Sequence, residues 1–165
     1  MVTRVAKVML LAGIALYYSL VAFNNLTDFD SNYEFVRHVL SMDTTFAGNR
    51  GMGRAVTSPT IHLAFYLGII AWEIMTALLL WWGVTRLAIA LRLGADGFNA
   101  AKRVGVAALT FGLMMWLVAF LSVGGEWFLM WQSQVWNGRE TAFRMFAVVG
   151  LVLVIVLQQD AEGQA

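Results

Sequence analysis

The carboxyl group of Glu73 lies near the middle of Leu63–Thr85, a run of residues that holds no other charged side chain. A helix of that length crosses a bilayer and places this carboxyl group close to the midplane. A charged side chain at such a depth costs about 2.5–3.5 kcal/mol on insertion scales. Glu73 therefore needs a partner, water or a proton. Two roles remain open: a proton-binding group, or a hydrogen-bonded carboxyl group that holds helices together.

The neighbours of Glu73 on the same helix are also polar. His62, Tyr66 and Thr76 fall on nearly the same helix face as Glu73. His62 and Glu73 are separated by ~16 Å along the helix axis and cannot share a metal ion or a proton directly. In the functional alternative, His62 and Glu73 mark the mouth and floor of one polar track along this face. In the structural alternative, the Glu73 carboxyl group is hydrogen-bonded to Tyr17, Tyr18 or Thr110.

Glu126 and Arg144 form a second candidate pair. They lie at equal distances along the chain from Val135. A hairpin of two antiparallel helices would bring them to similar depth, where a charge-assisted pair would offset the cost of both. In a functional alternative, Arg144 holds an anionic headgroup or substrate and Glu126 competes for it.

Neither a metal site nor a haem site is expected. The run Asp28–Asn32 begins like a calcium loop, but Tyr33 replaces the required glycine and Val39 replaces the bidentate glutamate. Of the two histidines, His38 is expected to pair with Glu34, one helical turn away. The sequence contains no nucleophile–base arrangement, phosphate loop or zinc motif. We therefore expect no cofactor and no enzymatic activity.

Composition places these residues in a membrane protein. Of the 165 residues, 60% are hydrophobic and only 13% are charged, against about 25% charged in soluble domains. A net charge of +1 without a basic stripe argues against a nucleic-acid partner. The absence of cysteine excludes disulfides and thiolate metal ligands. The expected partners are the lipid bilayer and either other membrane-protein subunits or further copies of the chain.

Four apolar segments predict an all-α fold, an integral membrane four-helix bundle that forms one domain over residues 1–165. The spans are expected at about Val5–Phe23, Ile61–Thr85, Val104–Met130 and Thr141–Leu157. The first segment follows Arg4 and Lys7 but has no small-residue cleavage site, so we interpret it as a retained span and not as a signal peptide. The polar tail, residues 158–165, is expected to fray.

The loop at residues 24–60 contains one further predicted element. Ser31 and Glu34 form a capping-box pattern, and Asn32–Met42 is predicted to be a short amphipathic helix on the membrane surface or over the bundle. Polar residues of this extracytoplasmic loop and of the Trp-rich third connection are expected to cluster near one interface. They are Asn24, Asn25, Asp28, Asp30, His38 and Gln132.

The distribution of Lys and Arg indicates an orientation. The N-terminus and the second connection carry slightly more of these residues than the opposite side. By the positive-inside rule, both termini are predicted to be cytoplasmic.

Two stretches, Phe23–Phe46 and Gly124–Gly138, resemble the signature stretches of a bacterial, largely proteobacterial, family of predicted small integral membrane proteins of unknown function. The resemblance extends over nearly the whole chain, with the spans in the same order. It implies a four-span protein of a bacterial inner membrane. It implies no activity, cofactor or catalytic residue.

Three hypotheses for function follow. The leading one is a non-catalytic accessory or interaction subunit of an inner-membrane complex. The second is a small proton-coupled transporter in which Glu73 binds the proton. The third is a lipid- or quinone-binding redox subunit that uses the outer aromatic cluster as its pocket.

Overall fold

The computed structural model of the chain describes residues 1–161, and their regular elements are all helices. No strand occurs in this part of the chain. The long helices are α1 (Val2–Thr27), α3 (Pro59–Ala90), α4 (Ala95–Met114), which continues as a π-helix over Met115–Trp127, and α5 (Arg139–Leu157). The shorter elements are α2 (Phe29–Ser41) and two 3-10 helices, Arg50–Arg54 and Met130–Gln132.

Four of these helices are long and apolar enough to cross a membrane, and the predicted all-α membrane class is confirmed. All four candidate spans begin earlier than the sequence predicted, because each helix starts before the apolar part of its segment. Pro59 occupies the first turn of α3, where the backbone N–H that proline lacks would have no partner within the helix.

The chain divides into two compact units. The first unit comprises Met1–Val21, Glu73–Leu113 and Ala147–Ala165. The second unit comprises Ala22–Trp72 and Met114–Phe146. Each unit is therefore built from segments that are distant in sequence.

In the first unit, α3 and α4 cross at two glycines. A Cβ atom on Gly83 would lie 2.7 Å from the Cα atom of Gly105, and one on Gly105 would lie 2.9 Å from Cδ2 of Leu11. Such close approach is possible only because neither glycine has a side chain. Leu11 brings α1 to the same point, so three helices meet there.

In the second unit, α2 packs its apolar face against the rest of the unit. The buried residues of this core are Val36, Val39, Leu40, Met42, Tyr66, Ile70, Phe128 and Met130. The predicted helix is present, but the predicted capping box is wrong. Ser31 and Glu34 lie inside α2, which begins at Phe29 after Asp28, and Asp28 makes no side-chain cap. Glu34 instead pairs with Arg37 at 2.7 Å.

The π-helix follows α4 without a break. Its wider turns are visible at Phe128, whose backbone N–H donates to the carbonyl oxygen of Val123, five residues earlier, at 3.0 Å. Gly124 and Gly125 are buried near its end. The π-helical geometry is rare and often occurs at functional sites.

Candidate functional site

The second unit contains a groove of about 550 Å³. Residues of α2, α3 and the π-helix line it, and every lining residue is apolar. They include Phe35, Val39, Gly68, Trp72, Ala119 and Phe120. The volume falls in the range of about 300–1,000 Å³ that is typical of small-molecule sites.

Small residues leave the groove open. Gly68 on α3 has no side chain, and a Cβ atom added there would meet no atom within 4 Å. Ala64 and Ala119 line the groove with only a methyl group each. A larger side chain at position 68 would therefore occupy the groove without a clash at its Cβ atom.

The backbone near this core departs from regular geometry at three places. Besides the π-helix, Met42 has a φ of 54° and Leu129 a φ of 55°. Bulky residues rarely adopt this left-handed conformation, and such strain is concentrated at functional sites. Gly51 packs between them: its added Cβ atom would lie 3.0 Å from Cδ1 of Leu129 and 3.7 Å from Cε of Met42.

A polar cluster adjoins the groove. The ring of His38 stacks on Trp136 with a centroid distance of 4.6 Å and an interplanar angle of 10°. Trp136 also contacts Phe35 edge-on at 6.2 Å. Because Phe35 lines the groove, these aromatic contacts connect the polar cluster to the apolar surface.

His38 lies between two carboxylates. Its Nδ1 atom is 2.8 Å from Asp43, and its Nε2 atom is 3.5 Å from Glu34. Arg37 approaches Nε2 at 2.9 Å. The expected Glu34–His38 contact is present, but Asp43 makes the closer one. Donors and acceptors thus gather beside the groove, where they could bind the polar end of an amphiphilic ligand.

The other residues of the predicted outer cluster differ in exposure and in their hydrogen-bond partners. Asn24, Asp28 and Asp30 are exposed. Asn25 is buried, and its carbonyl oxygen accepts a hydrogen bond from Tyr66 at 2.9 Å. Gln132 accepts a hydrogen bond from the backbone of Phe46 through Oε1. These residues make separate local contacts, and the expectation that they share one membrane interface stays a prediction.

His62 is buried with 3% of its surface exposed. Its Nε2 atom donates to the carbonyl oxygen of Val56 at 2.7 Å. Its Nδ1 atom has no hydrogen-bond partner among the described residues. This contact fixes the chain before α3, and it gives His62 a structural role in the second unit.

Glu73 belongs to the first unit and is 2% exposed. Thr76 and Tyr18 are fully buried in the same unit. A Cβ atom on Gly112 would lie 2.7 Å from Oη of Tyr18 and 2.9 Å from Cγ2 of Thr76. Of the expected partners of Glu73, Thr110 donates its hydroxyl group within its own helix. The prediction of a buried carboxyl group in this span agrees with the structure.

The expected Glu126–Arg144 pair is wrong. Glu126 lies 3.7 Å from Arg139, and Arg144 lies 3.9 Å from Glu140. The side chains of Glu126 and Arg144 are both 66% exposed. The connection between them is not a symmetric hairpin, because a π-helix, a 3-10 helix and an extended loop precede α5. The start of α5 therefore places Arg139 opposite Glu126.

A buried ionic site in the first unit has no counterpart in the sequence prediction. Asp160 contacts the ammonium groups of Lys7 at 2.7 Å and Lys102 at 2.5 Å. Both lysines also donate to the carbonyl oxygen of Gln158. Burial favours the neutral form of Asp160, but the hydrogen bonds from Lys102 and Lys7 outweigh it and lower its pKa below the usual value. The tail was expected to fray, but at least Gln158 and Asp160 are packed.

Four membrane-length helices define the chain as a polytopic α-helical membrane protein. Residues 3–159 match the family described as predicted small integral membrane protein (DUF2165), and the chain belongs to that family. The resemblance to a family of small integral membrane proteins of unknown function is thereby confirmed. Comparison with curated proteins and with solved structures gave no match.

Proposed function

We propose that this chain is a non-catalytic accessory protein of a bacterial inner membrane that holds the apolar tail of a membrane lipid in the groove of its second unit. The groove itself carries the proposal: it has a volume of about 550 Å³ and a predominantly apolar lining, in a chain with four helices able to cross a membrane. It combines the accessory and lipid-binding hypotheses from the sequence.

The size and lining of the groove favour a lipid tail over a helix of another protein. A membrane-spanning helix is about 10 Å across and about 30 Å long. Such a helix needs a continuous face along its partner, whereas α2 bounds this groove on one side through Phe35 and Val39. A flexible hydrocarbon chain can enter a bounded groove. It is also the most abundant apolar molecule around a membrane protein.

The polar cluster beside the groove supports an amphiphilic ligand. His38, Arg37 and Asp43 supply hydrogen-bond donors and acceptors near the groove-lining Phe35. A headgroup with oxygen atoms would be bound by these side chains while its tail covers the apolar lining. Binding a lipid in this way requires no redox reaction by the chain.

The proposed orientation has both termini in the cytoplasm. The first unit holds Arg4, Lys7, Arg86, Arg92, Lys102 and Arg103. The positive-inside rule favours the cytoplasmic side for such a concentration of Lys and Arg near span ends. Reporter fusions at the two termini test this: activity of a periplasmic reporter at either terminus would contradict it.

Filling the groove tests lipid binding directly. Gly68→Leu places a branched side chain in the groove, at a position where an added Cβ atom meets nothing within 4 Å. After gentle detergent extraction, we expect native mass spectrometry to show fewer lipids retained per chain than in the wild type, because the new side chain occupies the site for the lipid tail.

Gly13→Leu is the matched control. Gly13 is also a helical glycine whose added Cβ atom meets nothing within 4 Å, but it lies on α1 in the first unit. This variant should retain lipid like the wild type. Equal retention by Gly68→Leu and the wild type would contradict the proposal. Loss of a co-purifying polypeptide instead of a lipid would assign the groove to a protein partner.

A second candidate function is proton-coupled transport, which one observation favours. Glu73 is 2% exposed within a membrane-length helix, and a buried carboxyl group there is a candidate proton-binding site. In proteoliposomes, Glu73→Gln should abolish proton flux while the folded yield stays unchanged. Glu126→Gln, an exposed carboxylate, is the control. Unchanged flux in Glu73→Gln, or no flux in the wild type, would exclude transport.

A further inference from the structure

A second groove lies within the first unit, between α3 and α4. Its volume is about 520 Å³. Most of its lining is apolar, with Ile89, Leu93 and Val104 among the contributing residues, but Arg86 and Arg103 also line it. Two cations thus border a mainly apolar groove.

Arg86 and Arg103 lie at similar heights along the axes of α3 and α4. The backbones of α3 and α4 touch at Gly83 and Gly105. Arg86 follows Gly83 by less than one helical turn, and Arg103 precedes Gly105 by less than one turn. Because the helices run in opposite directions, both arginines lie on the same side of this contact, within about 5 Å of it along the axes.

Within residues 1–161, neither arginine has an anionic partner. Arg86 and Arg103 are exposed, and neither makes an ion pair or a side-chain hydrogen bond with any of residues 1–161. Lys7 and Lys102 of this unit differ, because both contact Asp160. The pair at the groove therefore presents ten guanidinium N–H donors, five from each arginine, to a ligand.

We propose that this groove is a binding site for an anionic phospholipid, whose phosphate lies between Arg86 and Arg103. The apolar lining covers the glycerol and the first methylene groups of its chains. Arginine binds phosphate oxygens in a bidentate manner, and basic pockets between membrane helices are known to bind anionic headgroups. Both arginines flank the ends of predicted spans, at Thr85 and Val104, where lipid phosphates lie. The site is independent of the groove in the second unit.

Lipid exchange into nanodiscs tests this site. The protein is placed in phosphatidylcholine nanodiscs with increasing phosphatidylglycerol, and retained phosphatidylglycerol is counted by native mass spectrometry. The double variant Arg86→Gln/Arg103→Gln should weaken retention by about 30-fold, or about fivefold for each arginine. Ala100→Leu, which narrows the same groove without a charge change, should also weaken it.

The control variant is Arg92→Gln. Arg92 is exposed, belongs to the same unit and makes no ion pair within the described residues, but it does not line the groove. It should retain phosphatidylglycerol within about twofold of the wild type, less than the loss expected for one lost contact. An equal loss in Arg92→Gln would show diffuse surface attraction and would overturn the proposal.

Two further arms separate the sources of the signal. Inorganic phosphate in lipid-free detergent should not raise the melting temperature; a rise as large as with phosphatidylglycerol would assign the site to free phosphate and overturn the lipid assignment. The drop in phosphatidylglycerol retention caused by Arg86→Gln/Arg103→Gln should be the same in a Gly68→Leu background, because Gly68 lines the other groove. A negative result for one groove therefore does not affect the test of the other groove.

Discussion

Gly83 and Gly105 bring two membrane helices into backbone contact: a Cβ atom on Gly83 would lie 2.7 Å from the Cα atom of Gly105. Gly83→Ala must push α3 and α4 apart, because the obstructing atoms belong to the backbone and cannot rotate away. We expect a loss of about 1–3 kcal/mol in the free energy of unfolding, as for other overpacked cores. Thermal unfolding in detergent, followed by circular dichroism, measures it.

The control for this prediction is Gly13→Ala, at a helical glycine with open space around its added Cβ atom. Alanine has a higher helix propensity than glycine by about 1 kcal/mol. The control should therefore melt at the same or a higher temperature. A Gly83→Ala protein as stable as the wild type would contradict the close contact.

Asp160→Asn should destabilise the first unit strongly. Removing the carboxylate leaves the buried ammonium groups of Lys7 and Lys102 without their anion. Breaking a buried ion pair from one side typically costs about 3–5 kcal/mol. Chemical unfolding in mixed micelles measures the change. Glu126→Gln, which removes an exposed carboxylate, should change stability by less than about 1 kcal/mol.

The lowered pKa of Asp160 predicts a specific acid dependence. The stabilisation from this carboxylate is fully present above its ordinary pKa of 3.8 and is lost as the pH falls through the lower pKa of the folded state. Unfolding measured below pH 3.8 should therefore show a loss of stability in the wild type. Asp160→Asn should not show this pH-dependent loss. If the free energies of unfolding of the two proteins changed in parallel with pH, the effect would be excluded.

The hydroxyl group of Tyr66 ties α3 to α1 by donating to the carbonyl oxygen of Asn25. Tyr66→Phe removes this buried hydrogen bond and should cost about 1–3 kcal/mol, because the carbonyl group stays buried. Tyr33→Phe is the matched control, since Tyr33 packs against the same core and its hydroxyl group makes no hydrogen bond within residues 1–161. Equal melting temperatures for the two variants would refute this role.

Trp136 should hold α2 in place through its stacking on His38. Trp136→Ala removes this contact and the edge contact with Phe35, so α2 should open more often. Limited trypsin digestion should then cleave after Arg37 several-fold faster, in keeping with an aromatic contact energy of about 0.5–1.5 kcal/mol. Val135→Ala, at a residue that is 73% exposed, should digest like the wild type.

The architecture was largely predictable because long apolar runs have few alternatives in a membrane. Four spans, the amphipathic α2 and the burial of Glu73 all follow from residue patterns. Helix ends were less predictable: the Ser31 and Glu34 pattern resembles a cap, but Arg37 attracts Glu34 once the helix has formed.

The site was less predictable because it depends on packing between distant segments. The expected pairing of Glu126 with Arg144 assumed a simple hairpin, and the π-helix before α5 breaks that assumption. Asp160 was overlooked because its partner Lys7 lies at the other end of the chain. The available signal was an acid three residues beyond the last apolar span, set against several cations near the other span ends. The grooves, by contrast, arise from missing volume at residues such as Gly68, which no sequence pattern indicates.

Because Lys7 and Asp160 lie far apart in the sequence, they enter the membrane protein at different times during synthesis. A ribosome makes Asp160 153 residues after Lys7, so a nascent chain carries its early lysine into the membrane long before the matching acid exists. Until then, the ammonium group must remain with water or lipid phosphates. Prematurely terminated products that lack Asp160 would expose this uncompensated charge, a feature by which membrane proteases could distinguish them from finished molecules.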